Sequence, residues 1–498
     1  MFQGVPEGHL GIISLEKKII PTMSVGGCVV SKSSGKKIRI KELDEFYTPY
    51  TVKAALTKGD VFTYITMLVM GFGNIVRGQL VKGLLFLGIE IAYVWYMISS
   101  GIGSLKLLPS LGWLEQQKVW SEKKQVFVYE AGHNSVLILL YGVITIGITL
   151  LFILVWRAAV KSAYKAQCLK KAGVRLKSIK DDIKDLFDTN LHKLLLAVPL
   201  TGITSFTVLP LLFMICMAFT NYSKAWPGNG NENHLILFDW VGLANFGDVL
   251  NFNNNIGQEF WSVLGWTIVW AIFATALNYF FGMILAIVIN RQGTRFKAFW
   301  RFCFVMSIAV PQFVSLLIMR TMLNQEGPVN NLLLELGWIE RALPFWTNTT
   351  WARVSVIVIN LWVGIPYTML QVTGILQNIP AELYESARVD GANAVTTFMK
   401  ITLPYMFFVT TPYMITQFTG NINNFNVIFL LSGGNPTPIE NTAGKTDLLV
   451  TWLYKLTIDR QYYNLGAVIG IMTFIVLAIV ALATYHNTGS YKNEEEFS

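Results

Sequence analysis

The chain has 498 residues, of which 53% are hydrophobic and only 14% charged, and its mean hydropathy is positive. A soluble protein of this size does not carry so apolar a composition, so the sequence predicts an all-α, polytopic membrane protein. The formal net charge of +9 comes largely from loops beside hydrophobic segments, so it does not indicate nucleic-acid binding. The wide spacing of Cys28, Cys168, Cys216 and Cys303 argues against a disulfide framework and against a metal site.

The N-terminal residues 1–60 are polar and lack the hydrophobic core of a secretion signal, so we predict a cytosolic N-terminal segment. Residues 61–75 are hydrophobic but end before Arg77, short of the ~20 residues that cross a bilayer. We interpret them as an interfacial or packed helix. The Gly-Lys sequences at Ser33-Ser34-Gly35-Lys36 and Gly444-Lys445-Thr446 both lack the first glycine of a phosphate-binding loop, so neither predicts ATP binding.

Eight hydrophobic segments are predicted to cross the membrane. The first two, with residues 61–75, form a predicted accessory membrane region, 61–157, and the last six form a predicted core, 194–485. An even number of crossings places both termini on one side. The predicted spans are 83–99, 135–157, 194–219, 262–290, 302–322, 352–378, 405–432 and 464–485.

The distribution of basic residues predicts the orientation of these spans. Lys and Arg recur throughout the predicted linker 158–193, whereas Lys224 is the one basic residue of the loop 220–261. Because cytosolic loops are enriched in Lys and Arg, we predict that the linker and both termini, including the tail 486–498, are cytosolic. Counting onward, the loop 379–404 is also cytosolic.

Two spans of the predicted core carry polar side chains on a single helix face. Amides donate and accept hydrogen bonds together, and a Tyr ring offers a flat surface, which suits a neutral, hydroxyl-rich solute. The alternative is that the amides join helices to one another, and periodicity alone does not decide between the two. The residues are Asn360, Gly364, Tyr367 and Gln371 in the span 352–378 and Gln417, Asn421 and Asn424 in the span 405–432.

Three further residues inside predicted spans are unusual. Pro311 and Pro366 are predicted to interrupt their spans, which is tolerated where a helix lines a cavity or packs against neighbours. Glu90 is the one acid well inside a predicted span. It is a candidate proton site, but because it lies alone and outside the core, we interpret it as a structural hydrogen-bonding residue.

The cytosolic loop from Ala381 to Pro404 contains polar and small residues at distinctive spacing. Pro380 can begin a helix, acidic residues in the first turn suit the helix dipole, and Gly391 permits a tight turn into a second short helix. Two short helices at an angle would form a compact docking element. The spacing is Glu385-Ser386-Ala387, then Gly391 after three residues, then Ile401, Leu403 and Pro404 after nine more.

This loop resembles the EAA loop of bacterial ABC importers, E-A-A-x3-G-x9-I-x-L-P, with Ser386 as the one departure. From about residue 190 to 485 the chain is similar to MalF-type permease subunits of sugar importers, through LWVGIPYTML, ILQNIPAELYESARVDGA, KITLPYM and GNINNFNVIFLLSGGNP. The resemblance implies a six-helix type I importer core. It also implies coupling to an ATPase through Glu385, Ser386, Ala387, Asp390, Gly391, Leu403 and Pro404.

The same resemblance implies where a sugar would bind. Gln312 stands where the family has Ser, Ile308 where it has Tyr, and Gly420 where it has an aromatic ring. The loss of two rings removes stacking surface, so we expect a sugar that is longer, branched or held less tightly. The positions that match the family's sugar site are Asn360, Val363, Gly364, Tyr367, Asn421 and Asn424, with Gln312 beside them.

The resemblance implies alternating access driven by ATP and Mg on separate subunits, with no cofactor and no catalytic residue in this chain. The implied partners are an extracellular solute-binding lipoprotein, a second homologous (MalG-type) permease, two copies of a cytosolic ABC ATPase, the oligosaccharide, and the lipid of a bacterial cytoplasmic membrane. The solute would be maltose or maltodextrin.

Alternative functions remain open on the sequence. The solute could instead be a raffinose-type sugar, a plant oligosaccharide or a polyol phosphate. An ion-coupled secondary transporter would need a membrane acid, for which only Glu90 qualifies. A membrane enzyme such as a glycosyltransferase would need a carboxylate cluster or a nucleophile arrangement, and the loops offer neither.

Overall fold

The computed structural model describes residues 50–122, 125–130, 132–173, 175–188, 190–225, 230, 232–291 and 293–486 and is almost wholly helical. Most of the predicted segments 1–60 and 486–498 lies outside the described residues. The chain divides into two units, one formed by Met1–Leu108 with Leu139–Pro210 and the other by Pro109–Ile138 with Leu211–Ser498. The predicted limits 61–157, 158–193 and 194–485 stay predictions.

The first unit begins with three short helices, α1 (Val52–Lys58), α2 (Val61–Leu68) and α3 (Phe72–Val76). The predicted helix over residues 61–75 is therefore two helices, because the backbone turns at Gly71 with φ +81°. A Cβ on Gly71 would lie 2.2 Å from the Gly83 carbonyl oxygen, so this close approach requires glycine.

Asp60 caps α2 and joins it to a buried guanidinium. Its carboxylate accepts a hydrogen bond from the Thr63 amide at 2.9 Å and pairs with Arg77. Burial alone would raise the pKa of Asp60, but the hydrogen bonds from Arg77 and Thr63 outweigh it and hold the pKa below its ordinary value.

The next helices carry the first two predicted spans. Helix α4 (Leu80–Tyr96) continues through a π-helical turn at Met97–Gly101 into α5 (Ile102–Leu107). Glu90 on α4 accepts a hydrogen bond from the Met70 amide at 2.7 Å, which is the structural contact predicted for it. After the antiparallel strands β1 (Gln117–Ser121) and β2 (Val126–Glu130) come α6 (Ser135–Lys171) and α7 (Ile179–Phe187), so much of the predicted linker 158–193 is helical.

The third predicted span is one helix with a π-helical turn at Thr204–Val208, between α8 (Leu191–Ile203) and α9 (Leu209–Met217). The remaining helices are α10 (Ala244–Leu250), α11 (Asn255–Asn290), α12 (Lys297–Ala309), α13 (Gln312–Met322), α14 (Pro328–Glu335), α15 (Thr349–Leu376), α16 (Ala381–Val389), α17 (Ala394–Thr397), α18 (Leu403–Ile422), α19 (Phe425–Leu431), α20 (Leu449–Tyr454) and α21 (Tyr463–His486).

Helices α11, α15 and α18 build the centre of the second unit. Two glycines let α11 and α15 approach closely, since a Cβ on Gly282 would lie 2.6 Å from Thr368 Cβ and one on Gly364 would meet Asn278. The indole of Trp270, fully buried on α11, donates to the Asn421 carbonyl of α18 at 3.0 Å. These contacts hold the polar faces of the three helices around one cavity.

Within the described residues, six helices are long and apolar enough to cross a membrane: Leu80–Leu107, Ser135–Lys171, Leu191–Met217, Asn255–Asn290, Thr349–Leu376 and Tyr463–Ala483. The pair α12 and α13, bent by 87°, makes a seventh if it is taken as one span. Helix α18 has 20 residues and occupies most of the seventh predicted span, 405–432. The predicted polytopic, all-α fold of about eight membrane helices is confirmed.

Prolines and asparagines account for the departures from the predicted spans. The span 302–322 bends at Val310-Pro311, where proline cannot donate the backbone hydrogen bond of a continuous helix. The span 405–432 ends at Ile422, and Asn424 caps the separate helix α19 by accepting from the Val427 amide at 3.2 Å. The prediction that Pro366 interrupts its span is wrong, because Pro366 is buried inside the continuous helix α15.

Candidate functional site: a polar cavity and a cytosolic loop

A cavity of about 340 Å³ lies among α11, α13, α15 and α18. Every residue that was predicted to bind a solute lines it, whereas Ile308 and Gly420 do not. No Lys, Arg, Asp or Glu is among its described lining residues. These are Ala274, Thr275, Asn278, Tyr279, Gln312, Asn360, Val363, Gly364, Tyr367, Thr368, Gln371, Tyr413, Met414, Gln417, Asn421 and Asn424.

Helix α15 presents its predicted polar face to this cavity. Asn360 is buried, with 3% of its surface exposed, while 50% of Tyr367 is exposed. Gln371, one turn beyond Tyr367, also lines the cavity. The wall from this helix therefore combines amide groups with an accessible aromatic ring.

The amides of α18 and the turn after it have structural partners. Asn421 donates to the Thr275 hydroxyl at 3.0 Å, which joins α18 to α11. The Asn424 side-chain oxygen is used to cap α19. The helix-joining alternative therefore holds for Asn421, which also lines the cavity, whereas Asn424 lines the cavity and caps its own helix.

Two amide atoms in the cavity are unpaired. Asn278 Oδ1 on α11 and Asn360 Nδ2 on α15 are buried, and neither has a hydrogen-bonding partner among the described residues. Buried amide groups of folded proteins are nearly always paired, so these two side chains retain unused hydrogen-bonding capacity beside the cavity. One is an acceptor and the other a donor.

Sequence reasoning missed the contribution of α11. Thr275, Asn278 and Tyr279 follow the i, i+3, i+4 spacing of one helix face, so the periodicity that revealed the α15 face was present here too. Thr368 lies one turn after Gly364, and Tyr413 lies one turn before Gln417, so the same periodicity also places these two residues on the polar faces of α15 and α18. The apolar lining residues Ala274 and Met414 carried no comparable signal. The cavity therefore has one more polar wall than the sequence predicted.

A second cavity, of about 330 Å³, lies between the beginning of α11 and the loop before α20. Its buried acid, Glu259, accepts hydrogen bonds from the amides of Thr442 at 3.0 Å and Ala443 at 3.0 Å. These bonds fasten the loop to α11. We therefore interpret Glu259 as a structural residue.

The loop 381–404 has the predicted turn at Gly391, whose φ is +74°. Pro380 precedes the first residue of α16, as predicted, and Ala387 is the buried residue of that helix. The second predicted short helix is not a separate element, because α17 runs through a π-helical turn at Phe398–Thr402 directly into α18. Continuous helical backbone therefore connects this loop to a wall of the cavity.

The outer surface of this loop is both acidic and apolar. Glu385, Ser386 and Asp390 are exposed, as is Pro404, while Leu403 is half-buried. The Tyr384 hydroxyl lies 3.1 Å from the Thr402 hydroxyl and joins α16 to the beginning of α18. Large apolar side chains are exposed beside these polar ones, as is common in surfaces that contact another protein. They are Leu383, Val389, Val395 and Met399.

Comparisons with known proteins cover both the cavity and the loop. Residues 278–487 match the family described as binding-protein-dependent transport system inner membrane component. The chain is 36% identical over 364 residues to the galactooligosaccharides transport system permease protein GanP of Bacillus subtilis, covering 72% of this chain and 85% of GanP. It is 32% identical over 449 residues to the maltodextrin transport system permease protein MdxF of the same organism, covering 88% of this chain and 98% of MdxF.

A third similarity is confined to part of each protein. Over 254 residues the chain is 35% identical to the maltose/maltodextrin transport system permease protein MalF of Klebsiella aerogenes, covering 50% of this chain and 49% of that one. The similarity to GanP and MdxF extends over most of each protein, and therefore includes the helices that build the cavity.

Proposed function

Because this chain belongs to the family of binding-protein-dependent transport system inner membrane components, we propose that it is the MalF-type permease subunit of an ATP-binding-cassette importer for an oligosaccharide. The observation that carries the proposal is the cavity of about 340 Å³ lined by amides, hydroxyls and a half-exposed Tyr ring, without a charged side chain. Such a lining suits a neutral molecule rich in hydroxyl groups.

The proposed solute is a hexose oligosaccharide, with maltodextrin as the first candidate. Amide groups pair with sugar hydroxyls, and Tyr367 supplies an exposed ring for the face of a pyranose. A polyol phosphate fits less well, because no basic residue is among the described lining residues. The relatives are named for maltodextrin and for galactooligosaccharides, so these two linkage classes are the ones to compare.

The proposed energy source is ATP hydrolysis on separate subunits. In this proposal the exposed loop surface at Glu385, Val389 and Asp390 docks into a cytosolic ABC ATPase, of which the complex holds two copies. A homologous MalG-type permease forms the other half of the pathway, and an extracellular solute-binding lipoprotein delivers the sugar. The continuous backbone from α17 to α18 supports this coupling, because it connects the docking loop to the cavity wall.

The proposed orientation follows the basic residues. The linker 158–193 and the loop 381–404 face the cytosol, with both termini on the same side of a bacterial cytoplasmic membrane. Accessibility of single cysteines placed at Lys165 and at Asn253 to an impermeant thiol reagent in intact cells checks this arrangement. We expect labelling at position 253 alone.

The test of the proposed function is ATP hydrolysis by the complex reconstituted with its ATPase, partner permease and binding protein. We expect maltotriose, longer maltodextrins or galactooligosaccharides to stimulate hydrolysis, whereas a polyol phosphate does not. Stimulation by one linkage class would also identify the substrate. Absence of stimulation by every sugar, with the assembled complex verified by size-exclusion chromatography, would refute the sugar importer.

A first mutational consequence concerns Tyr367. We expect Tyr367→Ala to lower sugar uptake by about tenfold, because loss of a stacking ring worth about 1 kcal/mol is compounded by lost buried area. Tyr367→Phe keeps the ring and should retain most uptake. The matched control is Trp362→Ala, which removes an exposed ring from the same helix outside the cavity lining. Equal losses in Tyr367→Ala and Trp362→Ala would contradict a solute contact at Tyr367.

A further inference from the structure

Asn278 lies on α11, in the wall of the cavity that sequence reasoning missed. Its Oδ1 is buried and has no hydrogen-bonding partner among the described residues. A second asparagine of the same helix, Asn290, provides the contrast, because it donates to the Ala286 carbonyl at 2.7 Å and to the Thr373 hydroxyl of α15 at 3.0 Å. Asn290 joins two helices, whereas Asn278 lines the cavity and has an unused acceptor.

Helix α15 is shaped to admit the Asn278 side chain. A Cβ on Gly364 would lie 2.3 Å from Asn278 Nδ2 and 2.7 Å from its Oδ1, which is closer than any real contact of a Cβ atom. Gly420 of α18 and Gly265 of α11 show no such crowding, since a Cβ on either would meet open space. A side chain at position 364 would therefore displace the Asn278 amide.

Asn360 lies one helical turn before Gly364, and Asn360 and Asn278 line the same cavity. The Nδ2 atom of Asn360 is buried and unpaired. A hydroxyl group can donate one hydrogen bond and accept another at the same oxygen. A single hydroxyl placed between the two side chains would donate to Asn278 Oδ1 and accept from Asn360 Nδ2, satisfying both buried atoms.

We propose that Asn278 is a specificity-determining residue that binds a sugar hydroxyl jointly with Asn360, and that position 364 is glycine because it must leave room for Asn278. The inference rests on the proposed function and adds a contact from α11 to it. A site built to hydrogen-bond a hydroxyl discriminates strongly against solutes that lack it, because the buried partners are then left unpaired. The pair therefore selects for hydroxyl geometry within the sugar class.

The first experiment measures uptake of maltotriose and of galactotriose by proteoliposomes that contain the complete importer with Asn278→Ala or Asn278→Leu. For the sugar that the wild-type complex transports, we expect the half-saturating concentration to rise at least about tenfold in both variants. The control is Asn290→Ala on the same helix, for which the half-saturating concentration should change less than about twofold. A half-saturating concentration in Asn278→Ala equal to that of the wild-type complex would overturn the inference.

A double-mutant cycle tests the role assigned to Gly364. We expect Gly364→Ala to impair uptake about as much as Asn278→Ala does. In a protein that already carries Asn278→Ala, adding Gly364→Ala should lower uptake by less than about twofold more, because the side chain that it would displace is then absent. Equal losses from Gly364→Ala in both backgrounds would overturn this part. The cycle has a readout that a purely structural glycine would not produce.

The failure of this inference and that of the proposed function are distinguishable. Absence of ATP-dependent sugar uptake by the wild-type complex would refute the proposed function. Uptake by the wild-type complex together with unchanged half-saturation in the Asn278 variants would refute the contact alone. If neither Asn278 variant co-purifies with its partner subunits while Asn290→Ala does, Asn278 is a structural residue and the inference is also overturned.

Discussion

Gly391→Pro is expected to abolish sugar-stimulated ATP hydrolysis, with a loss on the order of a hundredfold or more. Gly391 has φ +74°, a value that proline, fixed near −65°, cannot adopt. The substitution also removes the hydrogen bond from the Gly391 amide to the Arg388 carbonyl at 3.1 Å. The turn that orients α16 against α17 would be lost, and with it the proposed docking surface. The measurement is ATPase activity of the reconstituted complex with and without sugar.

Two further variants separate the turn from the surface contact. Gly391→Ala should give a smaller loss, because a non-glycine residue at positive φ costs about 1–2 kcal/mol. Glu385→Ala should uncouple hydrolysis from sugar, whereas Glu382→Ala, exposed one turn earlier on α16, serves as the matched control. Normal sugar-stimulated hydrolysis in both Gly391→Pro and Glu385→Ala would refute the coupling role of the loop.

Asp447→Ala is expected to give the largest loss of stability, about 3–5 kcal/mol. Asp447 is fully buried and pairs with Lys455 at 2.6 Å, and its carboxylate also accepts from the Gly444 amide and the Thr451 hydroxyl. Removing it leaves a half-buried ammonium and two donors without a partner. The measurement is the temperature at which the assembled complex is lost, followed by size-exclusion chromatography after heating.

The controls for Asp447 distinguish a buried pair from a general effect of removing an acid. Asp459→Ala, an exposed acid at the end of the π-helical turn after α20, should change the midpoint little. The double variant Asp447→Leu/Lys455→Met should recover part of the loss, because no charge is then left buried alone. If the Asp447→Ala complex is lost at the same temperature as the Asp459→Ala complex, the pair of Asp447 with Lys455 does not stabilise the protein.

Hydropathy predicts the membrane helices well where the chain is continuously apolar, as in 255–290 and 463–483. It fails at local breaks, because a sliding average does not detect a bend at Pro311 or a new helix that begins after Asn424. Pro366 shows the opposite error. Packing against neighbouring helices can accommodate a buried proline within a helix, as at Pro366. No sequence pattern indicates which prolines are accommodated in this way.

The candidate site was predictable to the extent that it follows helical periodicity. The face of α15 with Asn360, Gly364 and Tyr367 lines the cavity as predicted. The contact between Asn278 and Gly364 was not predictable, because it depends on the close approach of two helices distant in sequence. The continuation of α17 into α18 was missed for a related reason, since Pro404 suggested a boundary although proline is tolerated in a first helical turn.

We infer that the amide-lined cavity carries an oligosaccharide by a process driven by ATP on partner subunits. The most direct measurement is uptake of radiolabelled maltotriose and galactotriose into proteoliposomes that hold the complete importer, with ATP and Mg enclosed or with an imposed proton or sodium gradient instead. We expect uptake of one sugar with ATP and none with either gradient alone. Uptake driven by an ion gradient without ATP would contradict an importer driven by ATP on partner subunits.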